Sequence, residues 1–266
     1  MSSLQSELSD IYKALICGKR LPEGLIKESF IRNGLIHLMV VSGAHLLFLE
    51  RLWKKMNLPF FQTSGIIALL TLYALTANLH PPVLRALFSF LLLKVSDSYK
   101  LFWNSPLITH LSGILCLIYS PSWIFSPSLH LSWLASLAQH SSPSRLKKSL
   151  LTYIIILPIC NRWQFLHPFT VFINWIVAPF IGSILFPLSL LTVLFHPLHS
   201  ITDKLWEGTL KVLSLFQMFL PHSHLIKWSI PENGIWMYIL LVFITLQVTS
   251  IYKKRLPVSN TYNKTL

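Results

Sequence analysis

The densest group of polar side chains in an apolar part of this sequence lies at residues 37–45, His37-Leu-Met-Val-Val-Ser42-Gly-Ala-His45. On a helix with roughly 100° per residue, His45 lies about 80° from His37 and Ser42 about 140° from it, so all three can face one interior. A serine with a histidine three residues later is typical of a nucleophile and its base. Val40 stands where intramembrane serine proteases usually have glycine, and no acidic residue lies nearby. A hydrolase is therefore the lesser interpretation, and close helix packing by small residues is the simpler one.

Arg85 is the second residue with distinctive chemistry, because it lies in an apolar segment and follows Pro81 and Pro82. Proline is favoured at a helix start, so we expect Arg85 in the first turn of a helix. Arginine at the centre of a membrane span costs about 2.5–3.5 kcal/mol, but near an end its side chain can reach the interface. This position is equally consistent with two roles. Arg85 can contact a phosphate near the mouth of a pore, or its charge can fix the orientation of the helix in the membrane.

A metal site is not expected from the remaining histidines. His196, His199 and Asp203 are spaced i, i+3 and i+7, which can bring them to one helix face. However, Pro197 follows His196 directly and predicts a break in the helix there. Short histidine spacings are also weak motifs. We expect neither a metal nor a cofactor.

Several classes of function are disfavoured by what the sequence lacks. None of its nine acidic residues lies at the centre of an apolar span, where ion-coupled carriers usually have a carboxylate. There is no HExxH motif for an intramembrane zinc protease and no Walker A loop for nucleotide hydrolysis. The three cysteines are far apart and form no CxxC pair, which argues against a thiolate zinc site or a disulfide framework.

The composition indicates the kind of element that positions these residues. Of 266 residues, 53% are hydrophobic and 12% are charged, and the mean hydropathy is +0.58. An ordinary soluble domain has about 25% charged residues. An all-α, polytopic membrane protein with roughly seven to nine membrane segments is therefore expected. The net charge of +13 is compatible with a polyanionic cargo, but cytoplasmic loops rich in Lys and Arg explain it more simply.

Hydrophobic patterning divides the chain into three parts. Residues 1–29 are predicted to form an amphipathic segment at the membrane surface, 30–252 the membrane domain and 253–266 a basic polar tail. The stretch 30–49 is predicted as one span inside the bundle. The stretch 165–195 is too long for one straight span, and a broken or re-entrant helix is expected there.

Four blocks of this sequence resemble the signature of the ComEC family of competence proteins. The first comprises Phe30, Gly34-Leu-Ile-His37-Leu and Ser42-Gly43-Ala-His45; the second, Tyr73-Ala-Leu and Pro82-Val-Leu-Arg85-Ala86; the third, Leu131-Ser132-Trp133-Leu134-Ala135; and the fourth, Asn174 and Pro179. Upstream, the run from Ala14 to Arg20 is similar to the family's Leu-Gly-Asp-Arg sequence. Order and approximate spacing are kept. Ala44, Lys19 and the Asn78-Leu-His80 turn depart from the family pattern.

The resemblance implies an inner-membrane channel that passes single-stranded transforming DNA into the cytoplasm, with residues 30–252 as its channel domain. The residues expected to line the DNA path are His37, Ser42, His45, Arg85 and Asn174. The residues expected to shape the backbone or allow helix packing are Gly34, Gly43, Pro82 and Pro179.

The resemblance also implies a short form without the OB-like and metallo-β-lactamase-like domains of larger members, and hence no enzyme activity. Expected partners are single-stranded DNA, the lipid bilayer, other DNA-uptake proteins, a separate chain that supplies the missing domains, and further copies of this chain. We expect a multi-pass protein of the bacterial inner membrane with a cytoplasmic C-terminus. The alternative from a different class is a membrane scaffold, or a degenerate remnant that transports nothing.

Overall fold

The computed structural model describes residues 2–19, 21–39, 43–55, 62–140, 144–161, 167–218, 229–231 and 234–255. Within these residues all regular secondary structure is helical, which confirms the all-α prediction. The α-helices are α1 Ser2–Cys17, α2 Leu25–Arg32, α3 Gly43–Lys55, α4 Gln62–Thr76, α5 Pro81–Ser98, α6 Ser105–Tyr119, α7 Pro127–Gln139, α8 Arg145–Cys160, α9 Thr170–Phe180, α10 Phe186–Leu194, α11 His199–Met218 and α12 Ile235–Arg255.

Proline sets the start of the three central helices. Pro81 and Pro82 begin α5, Pro106 lies in the first turn of α6, and Pro127 begins α7. Proline suits these positions because the first N–H groups of a helix have no intrahelical acceptor, and its fixed φ is helical. Arg85 is consequently the fifth residue of its helix, one residue beyond the first turn expected from the sequence.

The predicted single span over residues 30–49 is wrong. Helix α2 ends at Arg32, a short 3₁₀ turn covers Ile36–Leu38, and α3 begins at Gly43. The physical reason is Gly34, whose positive φ of 68° is incompatible with a continuing right-handed helix.

The interruption expected in residues 165–195 takes a milder form than a break or a re-entrant turn. Helices α9 and α10 are joined by a π-helical turn, Ile181–Leu185, without a change to another element. Pro179 and Pro187 lie on either side of this turn, and neither can donate the usual backbone hydrogen bond. A π turn accommodates such missing donors while the helix continues.

Among the described residues, one helix, Thr170–Val193, is long and apolar enough to cross a membrane, with a mean hydropathy of 2.1. Three shorter apolar helices are Thr63–Thr76, Ser105–Tyr119 and Ile235–Val248. The number of seven to nine membrane segments stays a prediction.

Two hydrophobic cores organise the helices. The first core contains buried side chains of α3 to α8, of α10 and of α12, with Phe186, Trp133 and Leu134 among them. The second joins α1 and α2 to α9, the π turn and α11, with Trp206 and Phe30 completely buried. The apolar face of α1 is therefore covered by protein, and the position of residues 1–29 at the membrane surface stays a prediction. The domain boundaries themselves stay predictions.

Candidate functional site

The Arg85 side chain lies between three helices, α5, α6 and α7, and is only 6% exposed. Its Nε donates a hydrogen bond to Ser132 Oγ on α7 at 2.9 Å, and its Nη1 makes a longer contact of 3.5 Å with Ser89 Oγ. Within the part of the chain that the structure describes, no carboxylate pairs with this guanidinium. Its partners are thus neutral hydroxyl groups.

These hydroxyl groups continue as a connected chain through the three helices. Ser89 Oγ donates to Ser112 Oγ at 2.8 Å, and Ser112 Oγ in turn donates to the carbonyl of Thr109 at 2.8 Å. The Thr109 and Ser136 hydroxyls lie 3.2 Å apart. We call the group the Arg85 layer, and it consists of Arg85, Ser89, Thr109, Ser112, Ser132 and Ser136.

The layer joins the second and third blocks of the family resemblance, which carry Arg85 and Ser132 respectively. Sequence reasoning found Arg85 but not Ser89 on α5 or Ser136 on α7. Their signal was present, because Ser89 follows Arg85 by four residues and Ser136 follows Ser132 by four. Residues four apart share a helix face, so polar pairs at that spacing in apolar helices mark a common interface.

His45 and Gly43, from the first block, lie beside the layer's helices. The His45 ring is 3% exposed and stacks on Phe186, with centroids 4.1 Å apart and planes 19° apart. A Cβ atom at Gly43 would lie 3.0 Å from the Cβ of Ala86 on α5. The absence of a side chain at Gly43 therefore lets α3 approach α5 closely next to Arg85.

The first block also contains a helix-ending motif centred on Gly34. Gly34 N–H donates to Ile31 O at 2.9 Å, and Leu35 N–H donates to Phe30 O at 2.8 Å. These two bonds, with the positive φ of Gly34, form a Schellman motif. Phe30 and Leu35 occupy the positions whose side chains usually meet in that motif, and both are completely buried in the second core. The Schellman motif thus explains the spacing between Phe30 and Gly34-Leu35 in the first block.

Two asparagines surround this turn. Asn174 Nδ2 donates to Thr170 O at 2.9 Å and to Gly34 O at 3.4 Å, which joins the fourth block to the first. Asn33 Nδ2 donates to Ser29 O at 2.9 Å and to Leu213 O at 3.2 Å. The Oδ1 atoms of both asparagines are buried without a hydrogen-bond partner. We call this second group the Gly34 corner, and it consists of Phe30, Asn33, Gly34, Leu35 and Asn174.

Three of the five residues expected to line one DNA path are described with their side chains, and they make contacts in three different places. Arg85 belongs to a network of α5, α6 and α7, Asn174 belongs to the Gly34 corner, and His45 packs on Phe186. The backbone of His37 lies in the 3₁₀ turn, but its side chain and all of Ser42 lie outside the described residues. The path assignment and the hydrolase alternative therefore stay predictions.

The two prolines expected to shape the backbone lie at points of irregular hydrogen bonding. Pro82 is in the first turn of α5, and Pro179 lies in α9 just before the π turn. Pro82 removes a backbone donor that a helix start does not need. Pro179 removes one that a continuous α-helix would use.

The histidine and aspartate pattern considered for a metal is divided between two elements. His196 lies in the 3₁₀ turn His196–Leu198, and α11 begins at His199. Asp203 accepts a hydrogen bond from the Tyr12 hydroxyl of α1. Burial and this bond raise the pKa of Tyr12 above its ordinary value. No group of three or more His, Cys, Asp or Glu suited to a metal occurs within the described ranges.

Comparison with known proteins assigns the family. A family model described as "Competence protein" matches residues 19–255, which is most of the chain. A curated relative from Aquifex aeolicus (strain VF5), named "Uncharacterized protein", is 28% identical over 248 residues that cover 87% of this chain and 59% of the relative. The chain thus spans about three fifths of that relative's length. No solved structure matches. The order of the four motif blocks and this match agree, and the chain belongs to the competence protein family of the ComEC type.

Proposed function

We propose that this chain is an inner-membrane channel component that passes single-stranded transforming DNA into the cytoplasm during natural competence. Membership of the competence family supports a role in DNA uptake. The specific role in passage, its direction and the DNA substrate are parts of the proposal. So is the contribution of any soluble domain.

The Arg85 layer is the observation that carries the proposal. Among the described residues, this guanidinium with 6% exposure has hydroxyl partners and lacks the negative charge that usually accompanies a buried cation. A phosphodiester group supplies that charge and accepts strong hydrogen bonds from arginine. Serine and threonine hydroxyls both donate and accept, so they can exchange the bonds among themselves for bonds to phosphate oxygens. A single cation among neutral hydroxyls also suits transport, because passage requires binding that is weak enough to release the strand.

The membrane location draws support from the outer surfaces of the helices. Besides the long apolar helix Thr170–Val193, helix α12 has a strongly exposed apolar face. Its exposed large side chains are Met237, Leu240, Leu241, Ile244 and Val248. A continuous row of exposed apolar side chains suits lipid tails. Lys253, Lys254 and Arg255 at the end of α12 favour a cytoplasmic C-terminus.

DNA uptake by the native host tests the proposal. Uptake of labelled DNA into the cytoplasm is compared among the intact strain, a deletion strain and strains with Arg85→Ala or Arg85→Lys, at matched membrane levels of the protein. Lys94→Ala is the matched control. It removes one positive charge from the same helix, and the Lys94 ammonium lies over the Phe90 ring, 5.6 Å from its centroid, rather than in the layer.

We expect the deletion strain to lose uptake. Arg85→Ala should lower uptake by about 100-fold or more, since removing one member of a buried charged contact typically has an effect of that size. Lys94→Ala should stay within about twofold of the intact strain, as expected of a cation outside such a network. Unchanged uptake in a deletion strain without a second copy of the gene would exclude the channel and favour the scaffold or remnant. Equal effects of Arg85→Ala and Lys94→Ala would remove the layer from the path.

A further inference from the structure

The C-terminus of α1 ends against the turn that joins α4 to α5. The last carbonyl groups of a helix have no partner within it, and here side chains of α4 and the turn reach three of the carbonyls at this end. The contacts are Tyr73 Oη to Leu15 O at 3.4 Å, Asn78 Nδ2 to Cys17 O at 3.4 Å, and His80 Nε2 to Gly18 O at 2.8 Å. We call these three contacts the α1 clasp.

Gly18 allows this close approach for two reasons. Its φ of 66° is in the left-handed region, which suits a residue just after a helix end. A Cβ atom on Gly18 would lie 2.9 Å from the carbonyl oxygen of Ala77 and 2.9 Å from Cδ2 of His80. Any side chain at position 18 would therefore push the two segments apart.

The turn that supplies the clasp is held in a strained conformation. Asn78 and Leu79 have φ values of 53° and 48°, and leucine rarely adopts this region. Two backbone bonds end α4 in a Schellman motif: Asn78 N–H donates to Leu75 O at 3.0 Å, and Leu79 N–H donates to Ala74 O at 2.9 Å. Such strain persists where surrounding contacts determine the conformation more strongly than the residue's own preference.

His80 connects the clasp to Arg85. It is the N-cap residue of α5, and its carbonyl accepts hydrogen bonds from Val83 N–H at 2.9 Å and Leu84 N–H at 3.0 Å. Its side chain makes no capping bond to α5 and instead donates to Gly18. Since Gly18 O can only accept, Nε2 of His80 carries the proton of this bond. One residue thus holds the start of α5 through its backbone and the end of α1 through its side chain.

We propose that His80 is a positioning residue, which fixes the start of α5 against α1 and thereby keeps Arg85 within its layer. This inference rests on the proposed function for its consequence in DNA uptake. Its structural part stands on the clasp alone and can be measured without DNA.

Cys116 provides the structural readout. It is completely buried on α6 and follows Ser112 of the layer by four residues, which places both on one face of the helix. With Cys17 and Cys160 replaced by Ala, the rate at which a maleimide labels Cys116 in membranes reports how often the layer opens. Labelling after denaturation gives the total thiol. The variants are His80→Ala and His80→Gln, the second of which retains an N–H donor.

His80→Ala should raise the labelling rate about tenfold, a change in an opening equilibrium typical of a lost hydrogen bond, and should lower uptake by a similar factor. His80→Gln should restore both the labelling rate and uptake. Unchanged labelling in His80→Ala would overturn the proposal whatever happens to uptake. Failure of His80→Gln to restore labelling would overturn the role of the hydrogen bond.

The uptake result separates this inference from the proposed function. If Arg85→Ala abolishes uptake and His80→Ala raises labelling without lowering uptake, the positioning role is overturned and the channel stands. If Arg85→Ala leaves uptake normal, the path through the layer fails, and the labelling comparison alone decides whether His80 holds α5 in place.

Discussion

The Arg85 layer and the Gly34 corner both join distant parts of the chain, but they use different chemistry. The layer links side chain to side chain, from the guanidinium to serine and threonine hydroxyls on three helices. The corner links amide side chains to backbone carbonyls and is neutral throughout. Hydroxyl groups can rotate and exchange partners, whereas backbone carbonyls are fixed by their helices. The layer is thus suited to contact a moving ligand, and the corner to hold helices in place.

Hydrogen bonding is less complete in the Gly34 corner than in the Arg85 layer. Asn33 Oδ1 and Asn174 Oδ1 are buried without partners, and each such acceptor is unfavourable by about 1–3 kcal/mol. Both Nδ2 groups face carbonyl oxygens, which determines the orientation of the amides and leaves the Oδ1 atoms facing away. The corner therefore retains its geometry at some expense of stability, which is common where a backbone conformation must be kept.

Gly113→Ala should give the largest effect and would disrupt the helix packing around the layer. A Cβ atom at position 113 of α6 would lie 2.4 Å from the ring of Trp133, whose Nε1 donates to His110 Nδ1 at 2.7 Å. Because the buried ring must shift, the free energy of unfolding should fall by about 3 kcal/mol. Equilibrium unfolding in mixed detergent micelles measures this. Gly208→Ala, whose added Cβ meets nothing within 4 Å, is the control, and equal values for both would contradict the packing argument.

Ser132→Ala should have the next largest effect, because it removes the nearest acceptor of the buried guanidinium. Hydrogen bonds to charged groups contribute more to stability than neutral ones. The free energy of unfolding should therefore fall by about 2 kcal/mol, and DNA uptake should also be lower. Ser136→Ala removes a neutral contact of 3.2 Å with Thr109, so the free energy of unfolding should fall by about 1 kcal/mol or less. If the two variants have the same free energy of unfolding, Arg85 does not depend on Ser132 and the layer is not organised around the charge.

Gly34→Ala tests the corner through its backbone. The left-handed conformation at φ 68° costs an L-residue about 1–2 kcal/mol, so the free energy of unfolding should fall by that amount. Gly182→Ala is matched to it, since Gly182 lies in the π turn and an added Cβ meets nothing within 4 Å. Unfolding of both variants under the same detergent conditions decides the matter. A null result at Gly34 would mean that the Schellman motif is not required to separate α2 from α3.

Asn174→Ala should have the smallest effect. It removes two donated bonds, one of them long at 3.4 Å, but it also removes a buried acceptor without a partner. These contributions oppose each other, so the free energy of unfolding should change by no more than about 1 kcal/mol. Uptake should remain near that of the intact strain, because the donors of this amide already face backbone carbonyls. A strong decrease in uptake at normal protein levels would place Asn174 in the DNA path and remove the contrast between the two regions.

Some of the fold was predictable from local sequence. The Pro81-Pro82 pair predicted the start of α5, and the apolar segments predicted helices. The division of residues 30–49 was missed because helical periodicity continues across Gly34, and nothing local shows that its φ is positive. The helical pattern in residues 1–29 was predictable, but the protein partners of its apolar face were not, because an apolar helix face fits a membrane surface and a protein core equally well.

Composition and residue types indicate that this chain is helical, that it is too apolar for an ordinary soluble domain, and that Arg85 requires polar neighbours. The packing of the helices selects which groups those neighbours are. Ser132 is 47 residues from Arg85, and Asn174 is 140 residues from Gly34. Contacts over such separations depend on how the helices pack, and many serines in apolar helices are equivalent by local pattern. The physical reason is that hydrogen-bond partners are selected by distance in space, which hydrophobic periodicity along one helix does not specify.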